Sequence, residues 1–312
     1  MSNNELQLPF LKRFWIYQSE RFPVIMNIIA SFIFSFSVIV FSRVCRGASG
    51  FVDLKDYFIS TYISFTLFFL VRIFDEFKDR EEDAQFRPYL PVPRGLISFR
   101  ELSIVGAVFI ISQIGLILWL QPSMWLLYAL FFSYLLLMRY EFFVPVYLKK
   151  HHFLYIGSHM LIIPLLDLYS SGIDWKLSNI GFHYGIILFM VVSYCNGLIV
   201  EFGRKMKATE NEEEGVTSYT KIWGISKAVS IWLFTIVVTA GVAIFSGFYM
   251  QCGWLVLTCI ALFIVPMFWV GLNFKKNPSK KSAKLMEVFS ALWTVFMYLA
   301  LGVIPAIYHQ IY

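Results

Sequence analysis

The most informative scarcity in this sequence of 312 residues is charge. Asp, Glu, Lys and Arg make up 15% of it, against about a quarter of the residues in soluble domains. Hydrophobic residues reach 58% and aromatic residues 19%. Apolar runs of roughly 20 residues, the length that crosses the hydrocarbon core of a bilayer, recur along the whole chain. The composition therefore excludes an ordinary soluble domain and predicts an all-α polytopic membrane protein.

Three further absences narrow the class of protein to which this sequence can belong. The sequence has four cysteines and no CxxC pair, so no disulfide framework is implied. The apolar runs do not alternate with polar residues, which excludes a membrane β-barrel. The net charge of +6 comes from basic residues scattered in loops, with no separate basic domain. We therefore expect membrane lipid, and no nucleic acid, as a partner.

We predict one domain over residues 1–312 with nine membrane spans. Proline-containing breaks separate some of the apolar runs, because proline lacks the N–H that a helix interior needs. The predicted spans cover residues 22–44, 56–74, 97–120, 123–143, 151–169, 179–200, 226–248, 252–272 and 285–308. Asp167 and Asp174, near the outer end of the fifth span, are expected at the membrane interface.

The distribution of basic residues predicts the orientation. Of the 26 Lys and Arg, 21 lie in the N-terminal segment and in the loops that follow the even-numbered spans, and only four lie in the opposite loops. Because loops rich in Lys and Arg stay in the cytoplasm, we expect a cytoplasmic N-terminus and a C-terminus outside. The two long polar loops, after the second and sixth spans, then share the cytoplasmic face.

The loop after the second span contains the main candidate site. Asp75, Asp79 and Asp83 are spaced four residues apart, so on a helix each is rotated only about 40° from the last and they share a face. Stacked carboxylates repel one another, and a Mg²⁺ ion, which also takes ligands from substrate phosphates, would relieve that repulsion. The alternative is a solvated acidic face at a helix end. The loop after the sixth span, Glu201 to Gly224, again mixes acids and bases and could clamp the same ligand from the other side.

These motifs resemble the UbiA superfamily of intramembrane prenyltransferases. Asp75 to Asp83 fit its first motif, N-D-x-x-D-x-x-x-D, with Asp75 at the usual Asn and Glu76 at the first usual Asp. Pro91 to Ser98 fit the R-P-x-P-x-G segment that follows, although Leu90 replaces its Arg. The second acidic motif departs from the family pattern. Only Glu201 stands near its first Asp, while Gly215, Ser218 and Gly224 fit its tail.

The resemblance implies a nine-helix UbiA-like bundle with cytoplasmic cap loops after helices 2 and 6. It also implies a Mg²⁺-dependent prenyltransferase, which moves an isoprenoid chain from a polyprenyl diphosphate to an aromatic or lipid-type hydrophobic acceptor. The residues implied as catalytic are Asp75, Asp79 and Asp83. The implied metal ligands are Asp75, Glu76, Asp79, Asp83 and Glu201. The residues implied to bind the substrate diphosphate are Arg80, Arg139, Arg204, Lys205, Tyr134 and Asn196.

Two other functions stay open at this stage. The altered second motif is compatible with a terpene cyclase of the same superfamily, in which the ionised chain attacks itself. A transporter or lipid-binding membrane protein is the alternative outside enzymes, although the ionisable residues cluster at one membrane rim, whereas transport sites usually lie near the midplane. The sequence leaves open the acceptor, the donor chain length, the presence of a second metal ion and the oligomeric state.

Overall fold

The computed structural model describes residues 7–309. In this part of the chain helices joined by loops are the only regular secondary structure, and there are no strands. In chain order the helices are α1 (Phe10–Arg21), α2 (Val24–Cys45), α3 (Leu54–Lys78), α4 (Arg80–Phe86), α5 (Phe99–Leu120), α6 (Trp125–Arg139), α7 (Pro145–Lys150), α8 (His152–Met160), α9 (Ile162–Trp175), α10 (Ile186–Arg204), α11 (Tyr219–Trp223), α12 (Ile225–Tyr249), α13 (Gly253–Lys276) and α14 (Lys280–Tyr308). Within residues 7–309, nine helical segments are long and apolar enough to span a membrane, with α8 and α9 forming one of them. The predicted all-α class and the predicted number of spans are confirmed.

Several boundaries differ from those predicted from hydrophobicity. The fourth span ends at Arg139 because a left-handed turn follows it, with φ of 48°, 52° and 61° at Glu141, Phe142 and Phe143. The fifth span bends at Leu161, between α8 and α9, where Pro164 lies in the first turn of α9 and has no N–H to bond back to α8. The sixth span extends to Arg204, so Glu201 belongs to a helix end.

Helix α1 is too short to cross the membrane and lies at the end of the bundle where α3, α6 and α10 end, which we call the cap end. Its Leu11 and Trp15 side chains are 78% and 59% exposed, as expected for a helix that rests in the membrane interface. The guanidinium of Arg13 pairs with both carboxylate oxygens of Glu101 at the start of α5. This contact ties α1 to the rim of the bundle.

Small residues let the spanning helices approach one another closely. A Cβ atom added at Gly302 of α14 would lie 2.6 Å from the Cα atom of Ser37 in α2. Trp232 of α12 is fully buried and donates its indole N–H to the hydroxyl of Ser290 in α14 at 2.9 Å. Close backbone contact at small residues and hydrogen bonds between helices are the usual ways to hold helices together in lipid.

The two aspartates of α9, expected at the membrane interface, are buried by other parts of the protein. Asp174 is fully buried and accepts hydrogen bonds from Arg43 at 3.0 Å and from Arg46 at 2.6 Å. Asp167 is also fully buried, and the hydroxyl of Ser193 donates to it at 3.2 Å. Hydropathy alone does not reveal this burial, because the side chains that contact each carboxylate come from elements distant in the sequence.

Candidate active site

The acidic helix end keeps its register across the junction between α3 and α4. Asp79 lies between the two helices with φ −89° and ψ 11°. The backbone N–H of Asp79 still donates to the carbonyl of Asp75 at 2.9 Å, and the N–H of Asp83 donates to the carbonyl of Asp79 at 2.8 Å. Because these i to i−4 bonds continue, the three aspartates remain one turn apart, as the spacing predicted.

Two of the predicted metal ligands are paired with arginines. Glu76 is 2% exposed, and its carboxylate lies 2.8 Å from Arg21 of α1 and 3.3 Å from Arg72. Asp83 is equally buried and forms an ion pair with Arg87 of the following turn. Arg21 also lies 4.0 Å from Asp83. The structure therefore places Glu76 and Asp83 in a buried charge network that joins α1, α3 and α4.

Asp75 and Asp79 have looser surroundings. The cations nearest to Asp75 are Lys78 at 3.9 Å and Arg72 at 4.0 Å. Within residues 7–309, Asp79 has no ion-pair partner within 4 Å. Burial raises the pKa of Asp79 above its ordinary value of 3.8 and outweighs the attraction of Lys78, and the negative charge of Asp75 adds to the rise. A cation placed between these two carboxylates would lower the cost of ionising them.

The residues present fit a magnesium ion that is completed by substrate. In the part of the chain that the structure describes, no three His, Cys, Asp or Glu side chains converge to hold a metal by themselves. Mg²⁺ is commonly held by one or two carboxylates, with phosphate oxygens and water supplying the other ligands. Asp75 and Asp79 provide two carboxylates of this kind.

A narrow cleft opens beside Asp75, between α3, α6 and α8. Its polar residues are Asp75, Lys78, Arg139 and His159, and its apolar lining consists of Val71, Phe74, Leu135 and Met138. The guanidinium carbon of Arg139 lies 4.8 Å from the centre of the Phe74 ring, a distance at which cation and ring attract. The cleft thus has a charged rim and apolar walls.

The loop after α10 brings further cations to the cap end. The two carboxylate oxygens of Glu201 lie 2.6 Å from Arg204 and 2.8 Å from Lys205, and the hydroxyl of Tyr219 donates to Glu201 at 3.2 Å. Glu212 accepts hydrogen bonds from its neighbouring hydroxyl groups. Glu201 and Glu212 are therefore already bonded to other groups of the protein. Arg204 and Lys205 keep 49% and 33% of their side-chain surfaces exposed.

The two polar loops meet, which is consistent with their predicted location on one side of the membrane. The hydroxyl of Tyr89 donates to Glu213 across the gap at 3.1 Å. Gly215, with a φ of +71°, lies against the Phe86 ring so closely that any Cβ atom would clash with it. Arg204 is close enough to Asp75 for their charges to interact. The loop after α3 and the loop after α10 thus close over one region.

Of the six predicted substrate-binding residues, all within the described part of the chain, Arg139 alone lines the cleft. Three of the others have contacts or positions that separate them from it. Arg80 is exposed and lies 4.9 Å from the centre of the Phe99 ring. The hydroxyl of Tyr134 donates to the backbone carbonyl of Ser158 at 2.7 Å. Asn196 is fully buried inside the bundle. Of the predicted cations, Arg139 lines the cleft and Arg204 lies near Asp75.

Sequence reasoning missed a second group of polar residues, which includes Lys78 and His159 of the cleft wall and continues behind it. The ammonium of Lys78 donates to the hydroxyl of Tyr155 at 2.7 Å and lies 3.1 Å from the carboxylate of Glu141. Glu141 in turn lies 3.5 Å from His159. The i, i+3 spacing of Asp75 and Lys78 was a usable signal for the lysine. No local signal places Glu141 here, because its position depends on the left-handed turn after α6.

The sequence profile of the UbiA prenyltransferase family matches residues 21–304. A search of curated proteins finds no significant match. Among solved structures, a UbiA homologue from Aeropyrum pernix K1 in its apo form is 14% identical, with a TM-score of 0.68 over 89% of this chain and 98% of that one. A structure of digeranylgeranylglyceryl phosphate synthase is 17% identical, with a TM-score of 0.60 over 95% of this chain and 98% of that one. At these identities the two structures show that the fold is shared.

Proposed function

We infer the function from the family: the chain belongs to the UbiA prenyltransferase family, and we propose that it moves an isoprenoid chain from a polyprenyl diphosphate to an aromatic or lipid-type acceptor. The observation that carries the proposal is that Asp75 and Asp79 are only loosely paired and that Asp75 lines a cleft with apolar walls. The nearest cations to Asp75 are 3.9 and 4.0 Å away, and Asp79 has no ion-pair partner within 4 Å among residues 7–309. Such a site suits a molecule that is charged at one end and apolar at the other.

In this proposal the diphosphate lies at the rim and the isoprenoid chain runs along the apolar walls. Asp75 and Asp79 hold Mg²⁺, which when bound neutralises the charge that builds on the departing diphosphate. Arg139, Arg204 and Lys205 supply fixed positive charge for the phosphate oxygens, the arginines by paired hydrogen bonds. The walls keep water away from the carbon that becomes electron-poor.

The remaining predicted site residues take supporting roles. Glu76 and Asp83, through their arginine partners, fix the helix end on which Asp75 and Asp79 lie. Glu201 orients Arg204 and Lys205 toward the rim. This assignment favours direct binding of diphosphate by the basic residues over a second metal ion held by Glu201. The many Lys and Arg residues of the loops support a cytoplasmic location for this rim.

The test compares two substitutions that each remove one negative charge from the same region. Purified Asp79→Asn and Glu81→Gln proteins are assayed with labelled geranylgeranyl diphosphate, Mg²⁺ and a small-molecule and lipid extract of the source cells. Glu81 is exposed and serves as the control. We expect Asp79→Asn to lose about 10²-fold or more in turnover, as loss of a charge-stabilising group does, and Glu81→Gln to retain it. Wild-type turnover by Asp79→Asn would contradict the proposal.

A terpene cyclase is a second candidate, because Glu201 is engaged by basic residues and the second acidic motif is altered. Incubation with donor and Mg²⁺ but no acceptor distinguishes a cyclase from a transferase. A cyclase produces a hydrocarbon or terpene alcohol in amounts that match the diphosphate released. A transferase consumes the donor slowly until acceptor is added. Absence of Mg²⁺-dependent diphosphate binding would instead favour a transporter or lipid-binding protein.

A further inference from the structure

The turn between α13 and α14 carries the strongest concentration of positive charge in the chain. Within ten residues, without an intervening acid, it has five lysines: Lys275, Lys276, Lys280, Lys281 and Lys284. All five are exposed. From residue 215 to residue 312 the sequence contains a single acidic residue, Glu287. This basic turn lies at the cap end of the bundle, where α13 ends and α14 begins.

The charge of the basic turn is largely uncompensated by the protein. Several other bases at the cap end have acidic partners, as Arg13 has Glu101. Of the five lysines of the turn, only Lys284 lies within 4 Å of a carboxylate in the described residues, that of Glu287, and both members of this pair are exposed. The preference of basic residues for cytoplasmic loops explains why lysines occur here. It does not explain the apolar surface that adjoins them.

A shallow, open hollow of about 470 Å³ runs along the first turns of α14, and we call it the α14 hollow. Lys280, Lys281 and Lys284 line it near the start of the helix, and Leu285 and Val288 line it further along. Since a helix rises 1.5 Å per residue, the charged and apolar ends of this surface lie about 12 Å apart. The hollow is therefore accessible, and it changes from charged to apolar along its length.

The surface around the α14 hollow indicates its depth in the bilayer. Trp269 and Leu272, in the last turns of α13, are exposed, and an exposed tryptophan close to lysines is typical of the level of the lipid headgroups. On α14 the exposed apolar surface continues from Val288 to Leu292. The lysines therefore lie at headgroup level, while the apolar part of the hollow points into the hydrocarbon.

The start of α14 is held in place without a ligand. The hydroxyl of Ser279 accepts the backbone N–H of Ser282 at 3.2 Å, and the hydroxyl of Ser282 donates to the carbonyl of Asn277 at 2.8 Å. A Cβ atom added at Gly203 of α10 would lie 2.9 Å from the carbonyl oxygen of Met286, so α14 packs directly against α10. Because the backbone of the hollow is already ordered, a ligand loses little affinity to ordering it.

We propose that the α14 hollow binds an anionic phospholipid of the leaflet at the cap end. The lipid phosphate lies among the three lysines, as anionic headgroups do at basic segments next to membrane spans. One acyl chain follows Leu285 and Val288. A soluble anion would be attracted by the lysines but would gain nothing from the apolar residues. The hollow shares no residue with the cleft beside Asp75, so the proposal does not depend on the proposed function.

The experiment counts the lipids bound to the purified full-length protein. The protein is freed of lipid in detergent and titrated with dioleoyl phosphatidylglycerol or with dioleoyl phosphatidylcholine, and each bound state is measured by native mass spectrometry. The titrations are repeated with millimolar inorganic phosphate as a soluble competitor. The two lipids differ in net charge and share the same acyl chains, so their comparison isolates the contribution of the headgroup.

Three variants divide the hollow into its parts. The lysine variant combines Lys280→Gln, Lys281→Gln and Lys284→Gln. The control variant removes the same amount of charge from exposed lysines elsewhere at the cap end and combines Lys149→Gln, Lys150→Gln and Lys227→Gln. The third variant, Val288→Asn, changes only the apolar part, at a side chain that is exposed and lies outside the buried core.

We expect the wild-type protein to bind phosphatidylglycerol more tightly than phosphatidylcholine. A lysine near an anionic lipid contributes roughly five-fold to affinity, so the lysine variant should bind phosphatidylglycerol about 10²-fold more weakly and phosphatidylcholine as before. The control variant should retain wild-type binding of both lipids. Val288→Asn should weaken both lipids by roughly five-fold, because it removes apolar contact with the acyl chain. Inorganic phosphate should not displace the lipid.

Four results would overturn the proposal. Unchanged phosphatidylglycerol binding by the lysine variant would show that the hollow is not the site. An equal loss in the control variant would assign the attraction to net charge alone. Displacement of the lipid by inorganic phosphate, or undiminished lipid binding by Val288→Asn, would make the lysines a site for a soluble anion. Thermal unfolding without lipid checks that each variant folds, and Val288→Asn decides the question if the lysine variant does not.

Discussion

Glu76 and Asp79 lie three residues apart on the same acidic helix end, and we predict opposite effects on stability when each is replaced by its amide. Glu76→Gln leaves Arg21 and Arg72 facing a neutral group. The carboxylate is 1% exposed and the two arginines are 14% and 15% exposed, so water compensates poorly. Removing one partner from a buried ion pair costs about 3–5 kcal/mol.

We expect a loss near the lower limit, about 3 kcal/mol, because Arg21 retains Asp83 at 4.0 Å and both arginines reach some water. For a chain of this size the loss corresponds to a fall in Tm of roughly 6 °C. Asp79→Asn removes a carboxylate that has no close cation partner among the described residues, so the melting temperature without metal should stay the same or rise.

The sign of the pH dependence follows from the raised pKa of Asp79, which is caused mainly by burial. A carboxyl group whose pKa is higher in the folded state favours folding while it is protonated. Its contribution is present below the ordinary value of 3.8 and is lost as the pH rises through the raised value. The wild-type protein should therefore lose stability relative to Asp79→Asn over that interval, and Mg²⁺ should reduce the difference.

The assay is thermal unfolding in detergent, followed by tryptophan fluorescence, with and without Mg²⁺ and a thiolodiphosphate donor analogue. The ligands should raise the Tm of wild type and Glu76→Gln by similar amounts and have little effect on Asp79→Asn. Equal destabilisation by the two substitutions would refute the reasoning, because it would assign Asp79 the same supporting role as Glu76. Glu81→Gln serves as the exposed control.

Three further predictions follow from the same contacts. Asp174→Asn should destabilise the protein by about 3–5 kcal/mol, because it leaves the buried Arg43 and the partly buried Arg46 without their counter-charge. Asp53→Asn, at an exposed ion pair, should cost less than about 1 kcal/mol in the same unfolding assay. Ser98→Ala removes the side-chain cap of α5 and should cost about 1 kcal/mol, with no change in donor affinity. Glu201→Gln should raise the KM for the donor several-fold, because Glu201 positions the basic residues. The Mg²⁺ concentration for half-maximal activity should stay unchanged. A large shift in that concentration would instead show that Glu201 is a metal ligand.

The sequence predicted the parts of the site that lie on one helix. The spacing of Asp75 and Asp79 survives because the helical hydrogen bonds continue through their junction. The sequence could not distinguish Asp75 and Asp79 from Glu76, because one partner of Glu76 is Arg21, which is distant in the chain. Arg139, predicted to bind diphosphate, lines the cleft, whereas Tyr134, predicted for the same role, hydrogen-bonds a backbone carbonyl elsewhere.

The sequence by itself determined the all-helical class, the nine spans and the position of the acidic helix end. These depend on local properties, namely the length of apolar runs, the proline breaks and a four-residue spacing, and the bilayer forces any such run to become a helix. Only the tertiary structure decided which carboxylates are neutralised and which stay available, and it alone brought Glu141 to Lys78 and His159. Charge pairing acts over a few ångströms in space, between residues up to 63 positions apart in these contacts, so it is settled only once the helices have packed.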